Sequence, residues 1–513
     1  MGTTDVIVTN RPLVELTASG LVRLSRAGGV ATAMTRAWED LGAVAVAMAA
    51  TPSQIRLASI AEREGGWLRP EGCDRPMRAR FVRPTPQMYA WHDLYNRSLW
   101  WALQPIAGGG YGALARPHLL REAWTRGYRP VNRMFAEVVI EEVVGAGRPA
   151  RVMAEDFPVY LVPRMVREGL GSGGRVVQQG FTHVPWPHWW ELEVLPADIR
   201  VSMLRGMLGA DGHGFNVRRW ARRFLDTIER DLGALGYEVD RTMGQVWCPD
   251  ERGGHAVVVG HYPAGVDRER MAGRLRDPAV VQRIAALRGA LEPGARMVAL
   301  IGRVDPVKGF AGVLRAYHLM LQGEPSLARM APLYAFLQPT TGDGREQVAG
   351  EEYGHERSVI VAQCRKINGW CRDRGLPQAL ALVEGTNEVE VVARMAAADV
   401  LVIPSRWDGM NLIALETALC NQAGGVIVLS KRAGAHAVLN PDGEAQGAVT
   451  LDPEDPYLMK DALLTALTMP GEVRRTMAGR ARARVPDAGT WMRRRVRDTG
   501  AGAAALRAAG DPH

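Results

Sequence analysis

The stretch from Asp399 to Leu439 constrains the fold most, because it holds two apolar runs that are each followed by a helix pattern. The first run, 400–404, has the composition of a strand buried on both faces, as strands of parallel sheets are. A polar break at 405–409 precedes a helix that we expect to begin near Asn411. The second run, 425–429, leads through a glycine-containing turn into another helix. This alternation predicts part of an open α/β sheet with parallel strands.

Polar residues follow the first of these strands at the position where open α/β sheets bind ligands. Beyond the carboxyl ends of such strands, helix N-termini offer unpaired N–H groups and a partial positive charge. We therefore expect Asp408, Gly409, Met410, Asn411 and Glu416 to border a crevice. The stretch is predicted to hold a nucleotide-linked ligand, and other parts of the chain are expected to complete the site.

The length and the composition indicate a globular protein of two domains. A chain of 513 residues is too long for one ordinary hydrophobic core. The net charge of +8 is spread along the chain, with no basic run interleaved with aromatic residues and no nucleic-acid-binding motif. An Arg-rich composition or an affinity for phosphorylated small molecules explains this charge, so nucleic acid is not expected as a partner.

The cysteines and the N-terminus indicate a reducing compartment. An odd number of cysteines without the spacing of a zinc site predicts reduced, structural thiols and no metal. The first ten residues have no basic segment followed by an apolar one, which argues against a signal peptide. The longest apolar run, 41–50, is too short to cross a membrane. We predict a cytoplasmic protein that does not bind membranes. The five cysteines are Cys73, Cys248, Cys364, Cys371 and Cys420.

The first half of the chain reads as alternating strands and helices. His183 follows one predicted strand and precedes a rigid Pro-x-Pro segment, which would hold it where a ligand can meet it, although an isolated histidine is more often structural. The aromatic residues within 88–102 have the helical spacing of a core stripe, and a ligand contact is the less common alternative. The predicted strands are 5–9, 43–48, 175–181 and 255–260, with a strand-to-helix junction in 152–163 and helices over 30–38 and 214–225.

The second half is predicted to be a separate domain, because the strand pattern restarts at 296–301. We place the boundary near Asp267. The predicted parts are a Rossmann-like domain over 1–267 and a second one over 268–485, followed by a basic helix with an Ala/Gly tail over 486–513.

Two cations follow the restarted strand where it meets a helix. Arg303 and Lys308 lie five residues apart. A guanidinium fork and an ammonium group beside a helix N-terminus suit a pyrophosphate. The alternative is a solvated charged loop.

In order along the chain, these motifs resemble the trehalose-6-phosphate synthase family of retaining glycosyltransferases. The likeness runs from Val6 to about Arg480 and includes VTNR at the first strand, WTRGYRPVN, THVPWP, an Arg-x-Asp-x-x-Lys-Gly motif, DGMNLIALE and GVIVLSKRAGA. The resemblance implies the GT-B architecture, an α/β protein of two Rossmann-like doubly wound domains that face each other across a cleft. The N-terminal domain would bind the acceptor, and the C-terminal domain would bind the nucleotide sugar.

The resemblance also implies donor-side roles for individual residues. Arg303 and Lys308 would bind the diphosphate and stabilise its charge as it leaves. Asp408 would hold hydroxyls of the donor sugar, Glu416 the ribose, and His183 would contact the sugar and help to set the geometry at the anomeric carbon. Catalytic roles are thus implied for His183, Arg303, Lys308 and Asp408, and further donor contacts for Gly29 and for the backbone of Gly409, Met410, Asn411 and Leu412.

The implied reaction transfers a sugar from a UDP- or GDP-linked donor to a sugar-like acceptor, forming an α,α-1,1-type linkage without a cofactor or a metal. The departing phosphate can accept the proton of the incoming hydroxyl, so no protein nucleophile is required. Arg11, Trp91, Trp100 and Asp156 would line the acceptor side, and a homo-oligomer is possible.

The sequence departs from the family on the acceptor side. The family's tyrosine nine residues before Trp100 is Trp91 here, and its His-Asp-Tyr-His reads Glu155 to Pro158. An arginine that grips the acceptor phosphate is replaced by Gly342, with Arg345 three residues on. We therefore expect an acceptor other than glucose 6-phosphate, such as an aminosugar or a cyclitol of specialised, antibiotic-type metabolism. Glu155 would either meet a cationic amine or remain solvated.

Three alternatives stay open at this point. The first alternative is a genuine trehalose-6-phosphate synthase. The second is a pseudoglycosyltransferase that couples a nucleotide-cyclitol to an amino-cyclitol, and the third is a catalytically silent relative with a regulatory role. The presence of Arg303, Lys308, Asp408 and Glu416 argues against the silent relative.

Overall fold

The structure, a computed structural model, describes residues 3–17, 19–25, 29–105, 116–171, 176–250, 254–338, 350–385, 387–421, 424–443 and 445–509. The chain divides into two compact units. Unit 1 consists of Met1–Pro263 together with Ala488–His513, and unit 2 consists of Ala264–Asp487. The helix predicted after residue 486 therefore packs as a part of unit 1.

Unit 1 is built on a long, mostly parallel sheet. Its described strands are β1 (Thr4–Thr9), β2 (Val14–Leu16), β3 (Val22–Leu24), β4 (Val44–Met48), β5 (Trp67–Leu68), β6 (Met77–Val82), β7 (Ala150–Glu155), β8 (Val176–Thr182), β9 (Gly212–Phe215), β10 (Glu238–Asp240), β11 (Gln245–Cys248) and β12 (His255–His261). The sheet has the order β10-β11-β12-β9-β8-β7-β1-β4-β6-β5, and β2 and β3 form a separate hairpin. From β12 to β6 the neighbouring strands are parallel.

Helices connect these strands, and two of them begin with a threonine side-chain cap. Thr51 and Thr85 each accept a hydrogen bond from a first-turn N–H, with proline at the first helical position. The described helices of unit 1 are α1 (Gly29–Leu41), α2 (Pro52–Arg63), α3 (Pro86–Leu103), α4 (Pro117–Ala123), α5 (Arg129–Ala146), α6 (Val162–Leu170), α7 (Ala197–Met207), α8 (Arg218–Leu232) and α19 (Ala488–Ala509).

The centre of the unit 1 sheet fixes where a ligand can bind. Strands β1 and β4 are buried along their whole length, as near-continuous apolar runs predict. The chain moves outward from β1 to β4 and β6 and then returns to the other side of β1 with β7, so the strand order reverses there. The carboxyl ends of β1, β7 and β8 are therefore the expected ligand edge of unit 1.

Unit 2 is a six-stranded parallel sheet with helices between its strands. Its described strands are β13 (Val298–Arg303), β14 (Leu333–Gln338), β15 (Leu380–Glu384), β16 (Val400–Ile403), β17 (Val426–Ser430) and β18 (Val449–Leu451). Its described helices are α9 (Arg268–Arg276), α10 (Pro278–Gly289), α11 (Phe310–Gly323), α12 (Leu327–Met330), α13 (Gly350–Arg372), α14 (Glu388–Ala397), α15 (Leu412–Cys420), α16 (Gly434–Leu439), α17 (Pro456–Thr468) and α18 (Gly471–Arg484).

The strand order of unit 2, β15-β14-β13-β16-β17-β18, reverses between β13 and β16. Valines and leucines of these two strands, among them Val298, Leu300, Val400 and Val402, lie in one buried cluster with Leu314 of α11. The strands predicted at 296–301, 400–404 and 425–429 are confirmed as β13, β16 and β17. Both halves thus have the doubly wound α/β organisation that the sequence predicts.

One predicted element is wrong, because Gly214 and Phe215 do not open a helix. They end β9, which is hydrogen-bonded to β8 on one side and to β12 on the other. The helix begins three residues later, with α8. A four-residue strand rich in glycine has neither the length nor the alternation that distinguishes a strand in the sequence.

The described residues include no helix long and apolar enough to cross a membrane. All five cysteines are free thiols, as predicted, and only Cys73 is not buried. Among the described residues, no three His, Cys, Asp or Glu side chains are grouped in a way that would hold a metal ion.

Candidate active site

The loop after β13 carries both predicted cations of unit 2. Arg303 is the last residue of the strand, and Lys308 ends a short 3-10 turn that Asp305 caps by accepting a 3.0 Å hydrogen bond from the Val307 N–H. Gly309 has φ +71°, and a Cβ atom there would lie 2.2 Å from the Pro404 carbonyl oxygen. Because no side chain fits, glycine allows this loop to lie directly against the end of β16.

That close approach brings Lys308 to Asp408. The Lys308 Nζ lies 2.6 Å from Asp408 Oδ2, and the same oxygen accepts hydrogen bonds from Ser405 Oγ at 3.1 Å and Asn411 Nδ2 at 2.8 Å. Burial raises the pKa of Asp408, but the Lys308 ammonium and the two neutral donors outweigh it and bring the pKa below its ordinary value. Asp408 is therefore a carboxylate, paired with a cation from a motif 100 residues earlier.

The start of α15 is built to hold this loop in one shape. Asn411 adopts a left-handed backbone with φ +67°, and its side chain caps the helix by accepting a hydrogen bond from the Ala414 N–H. The Met410 carbonyl accepts a 2.7 Å hydrogen bond from the Ala435 N–H. At Gly434, a Cβ atom would lie 2.2 Å from the Gly409 carbonyl oxygen. The loop of Asp408–Asn411 is thus fixed against the N-terminus of α16.

Glu416 lies farther along α15 and is partly exposed. Burial raises its pKa to about 7, and Arg274 and Arg270 of α9 act in the opposite direction. A carboxyl group with this pKa changes its protonation close to neutral pH. It is a candidate acceptor for hydroxyl groups, as the family resemblance implies for a ribose.

In unit 1 the candidate residues gather at the ends of β7 and β8. Asp156 follows β7 with φ +73° and ψ 172°, a backbone region that is essentially restricted to glycine. Its N–H donates to the Phe181 carbonyl at 2.7 Å, and its Oδ1 accepts from the His183 N–H at 3.1 Å. Burial raises the pKa of Asp156, although His183 opposes this. These contacts hold a strained residue directly beside the predicted His183.

The expectation for Glu155 is wrong in both of its versions, because Glu155 is neither solvated nor open to an amine. Its side chain is 1% exposed. Oε2 lies 2.8 Å from His183 Nε2, and Oε1 accepts a 2.7 Å hydrogen bond from Arg495 Nη2 of α19. Burial would raise the pKa of Glu155, but Arg495 and His183 bring it below its ordinary value. A guanidinium of the same unit occupies the place assigned to an acceptor's amine.

The aromatic helix α3 is mainly core. His92 and Tyr95 are fully buried against Tyr128, and burial lowers the pKa of His92 to about 3. Trp91 and Trp100 are only half-buried. The ligand role therefore stays a prediction for these two tryptophans.

Arg11 directly follows Asn10, whose side chain contacts α3. Asn10 Oδ1 lies 3.2 Å from His92 Nε2, which joins the loop after β1 to the helix that carries Trp91. Gly29 is the first residue of α1, and the preceding 26–28 lie outside the described residues. Gly342 and Arg345 also lie outside them.

Comparisons with known proteins show which family and which fold the chain resembles. The family described as Glycosyltransferase family 20 matches residues 92–500. An α,α-trehalose-phosphate synthase (UDP-forming) of Botryotinia fuckeliana is 30% identical over 349 residues, which cover 68% of this chain and 62% of that relative. The match thus spans less than two thirds of the relative's length.

Two solved structures are similar in fold over nearly the full length of the chain. The structure described as trehalose-6-phosphate from E. coli bound with UDP-2-fluoro glucose has a TM-score of 0.75 at 19% identity and covers 97% of this chain and 99% of that one. An α,α-trehalose-phosphate synthase (UDP-forming) from Burkholderia xenovorans in complex with glucose-6-phosphate has a TM-score of 0.74 at 20% identity, covering 97% and 100%. At these identities the likeness shows the fold, and the predicted GT-B fold class is confirmed.

Proposed function

The chain belongs to glycosyltransferase family 20, and on that premise we propose that it transfers glucose from a nucleotide-linked donor, UDP-glucose first, to glucose 6-phosphate. The product would be the α,α-1,1-linked disaccharide phosphate, formed with retention at the anomeric carbon. The names of the relatives support this acceptor and this donor. They do not support the different acceptor that we expected from the sequence.

One observation carries the donor half of the proposal: the Lys308–Asp408 contact at the strand-order reversal of unit 2. The ammonium there already has an anionic partner. A donor diphosphate would replace Asp408 as that partner and would free the carboxylate to accept hydrogen bonds from sugar hydroxyls. Arg303, which has no ion pair within the described part of the chain, would supply the second positive charge.

The proposed reaction breaks the bond between the sugar's anomeric carbon and the diphosphate oxygen. The acceptor hydroxyl oxygen forms the new bond on the same face, and its proton passes to the departing phosphate. Arg303 and Lys308 would stabilise the charge that develops on the leaving group. Asp408 would hold the sugar by its hydroxyl groups while its anomeric carbon is positively charged.

A second candidate acceptor is a sugar or cyclitol without the 6-phosphate, and the half-buried Trp91 favours it. An indole in place of the family's tyrosine removes a hydroxyl group, and one lost hydrogen bond to a charged phosphate weakens binding by about 1.5–3 kcal/mol. The buried Glu155–Arg495 pair removes the specific argument for an amine. A nucleotide-cyclitol donor, an antibiotic-type pathway, a cytoplasmic location and a homo-oligomer stay predictions.

The test combines each donor, UDP-glucose or GDP-glucose, with each acceptor: glucose 6-phosphate, glucose, aminosugars and cyclitols. Turnover is measured by the release of nucleoside diphosphate, and the products are then identified. Preferred formation of the disaccharide phosphate would support the proposal. Turnover only with unphosphorylated acceptors would replace glucose 6-phosphate by the second candidate. A chain that neither binds nor consumes either donor would be the silent relative, and the proposed function would be wrong.

A further inference from the structure

Arg495 of α19, Glu155 of β7 and His183 form one continuous chain of contacts in unit 1. Arg495 Nη2 donates to Glu155 Oε1 at 2.7 Å, and Glu155 Oε2 lies 2.8 Å from His183 Nε2. The side chains of Arg495 and Glu155 are 0% and 1% exposed. A fully buried guanidinium is costly unless it is paired and hydrogen-bonded, so a position that keeps one calls for an explanation.

The residues around Arg495 provide hydrogen-bond acceptors for its guanidinium and hold the group in place. Its Nε donates to Gln179 Oε1 at 3.0 Å, and its plane lies over the rings of Phe181 and Trp491, at 4.2 Å and 4.6 Å from their centroids. Gln179 in turn donates to Thr499 of the same helix at 2.7 Å. The cation is therefore fixed in position before it meets Glu155.

This arrangement decides which nitrogen of His183 carries the proton. An ionised carboxylate accepts hydrogen bonds and donates none, so a short contact between Glu155 Oε2 and His183 Nε2 requires a proton on Nε2. A neutral imidazole then has its lone pair on Nδ1. Arg495 already pairs with Glu155, so the carboxylate has a cationic partner other than the imidazole.

The other contacts of His183 fix its backbone. Its N–H donates to Asp156 Oδ1 at 3.1 Å, and its carbonyl accepts from Asn216 Nδ2 at 3.1 Å. The charged groups that the structure places against His183 are Glu155, Asp156 and Arg495. Nδ1 makes no hydrogen bond within the described residues, so it is the nitrogen left for a ligand.

We propose that Arg495 and Glu155 are positioning residues that hold His183 as the neutral tautomer with a proton on Nε2, so that Nδ1 accepts a hydrogen bond from a donor-sugar hydroxyl. The part that concerns the sugar rests on the proposed function. The tautomer itself does not, because it is set inside the ligand-free protein.

The central experiment compares Arg495→Met with the double variant Glu155→Gln/Arg495→Met. The single variant removes the guanidinium from Glu155, so that a second proton on the His183 ring becomes the way to balance the buried carboxylate. The double variant removes both charges, and the glutamine amide oxygen that replaces the carboxylate still accepts a hydrogen bond from Nε2. It also leaves no uncompensated buried charge, so it tests the proposal even where the single variant folds poorly.

The first readout is the nitrogen NMR spectrum of protein labelled at histidine, with the His183 signals assigned by their loss in His183→Gln. We expect Nδ1 to be unprotonated in the native protein and in the double variant and protonated in Arg495→Met at neutral pH. Identical His183 spectra in all three proteins would overturn the proposal. This readout needs no substrate, so it decides the inference even if the proposed transfer reaction is absent.

The second readout is turnover. We expect Arg495→Met to lower kcat by about 10–100-fold, with a smaller change in the KM for the nucleotide sugar, and the double variant to recover part of the loss. The matched control is Arg200→Met, which breaks a comparable ion pair with Asp231 in the same unit, held by hydrogen bonds of 2.5 and 3.0 Å. An equal loss of kcat in the control would mean that only stability had changed, and the positioning role would be wrong.

Discussion

The two candidate sites of this protein are assembled in different ways. In unit 2, Lys308 and Asp408 come from loops that follow two neighbouring strands, and each belongs to a compact motif. In unit 1, His183 is held by Glu155, and Glu155 is held by Arg495, which lies 340 residues later in the chain. Both residues of the first site can be predicted from local patterns, whereas in the second site such patterns locate His183 but not the guanidinium that pairs with Glu155. The difference teaches that a motif locates a reactive group, whereas its electrostatic partner is often set by the fold.

The largest expected effect tests the unit 2 site directly. Lys308→Ala should lower turnover by about 100–1,000-fold, because it removes the cation that would stabilise the leaving diphosphate. Nucleoside diphosphate release measures this loss. The matched control is Lys431→Ala, since Lys431 pairs with Asp452 but is half exposed. A similar loss of turnover in both variants would contradict the prediction, because the unit 2 site would then not depend on Lys308 in particular.

The next effect concerns the backbone of the same site. Gly309→Ala should destabilise unit 2 by about 2–4 kcal/mol, because alanine is strained at φ +71° and its Cβ would overlap the Pro404 carbonyl oxygen. Gly375→Ala is the control, with φ +64° and nothing within 4 Å of the added Cβ, and should cost about 1 kcal/mol. Denaturant unfolding measures both. Equal losses would contradict the close approach of the two loops.

A third prediction asks whether unit 1 stores strain at its site. Asp156→Gly should be more stable than Asp156→Ala by about 1–3 kcal/mol, because only glycine adopts φ +73° with ψ 172° at little cost. Both variants should lose turnover, since both remove the carboxylate that accepts from the His183 N–H. Thermal unfolding and activity are measured together. An alanine variant as stable as the glycine variant would show that this backbone is not strained.

The smallest effect sharpens the contrast between two carboxyl groups of unit 2. The pKa of Glu416 is raised to about 7, whereas that of Asp408 is lowered. If the ionised Glu416 accepts hydrogen bonds from ribose hydroxyls, affinity for the nucleotide sugar should rise by up to about tenfold from pH 6 to pH 8. Titration calorimetry across this range measures it. Glu416→Gln should show a flat profile, and a native profile that is equally flat would exclude this role.

The same residue should affect stability in the opposite direction. Its folded pKa of about 7 exceeds its ordinary value of 4.5, so the folded protein keeps a proton that the unfolded chain releases. The contribution of Glu416 to stability is therefore present below about pH 4.5 and is lost as the pH rises to 7 and above. Unfolding of Glu416→Gln across this range should show a smaller loss.

The doubly wound halves and the positions of the candidate residues of unit 2 could be predicted from the sequence because both depend on local signals. Apolar runs identified β13, β16 and β17, and the polar residues after them, Arg303 and Asp408, could only lie at the strand ends. Asp156 and His183 were found for the same reason. The prediction for Glu155 failed because its environment depends on packing against a helix that lies far away in the sequence.

Arg495 shows why the rest was out of reach. In the sequence it is one of several arginines near the C-terminus, and nothing local distinguishes it from Arg493, Arg494 and Arg497, which are exposed. The one available signal was Trp491, an aromatic residue four positions earlier on the same helical face. Without α19, the sequence gives Glu155 no cationic partner. The interpretation that Glu155 binds the amine of an acceptor followed because Arg495 was not recognised as that partner.

The return of α19 to unit 1 also has a consequence for the order of folding during synthesis. Unit 2 is one continuous segment, whereas unit 1 needs both ends of the chain. Ribosomes add about 5–20 residues per second, so roughly 220 residues of unit 2 are made, over about 10–45 seconds, while unit 1 waits for its last helix. During that interval Glu155 and His183 lack their guanidinium partner. We expect the N-terminal part of a nascent chain to remain open to proteases and chaperones throughout the synthesis of unit 2 and until Arg495 has emerged, shortly after the last residue of unit 2.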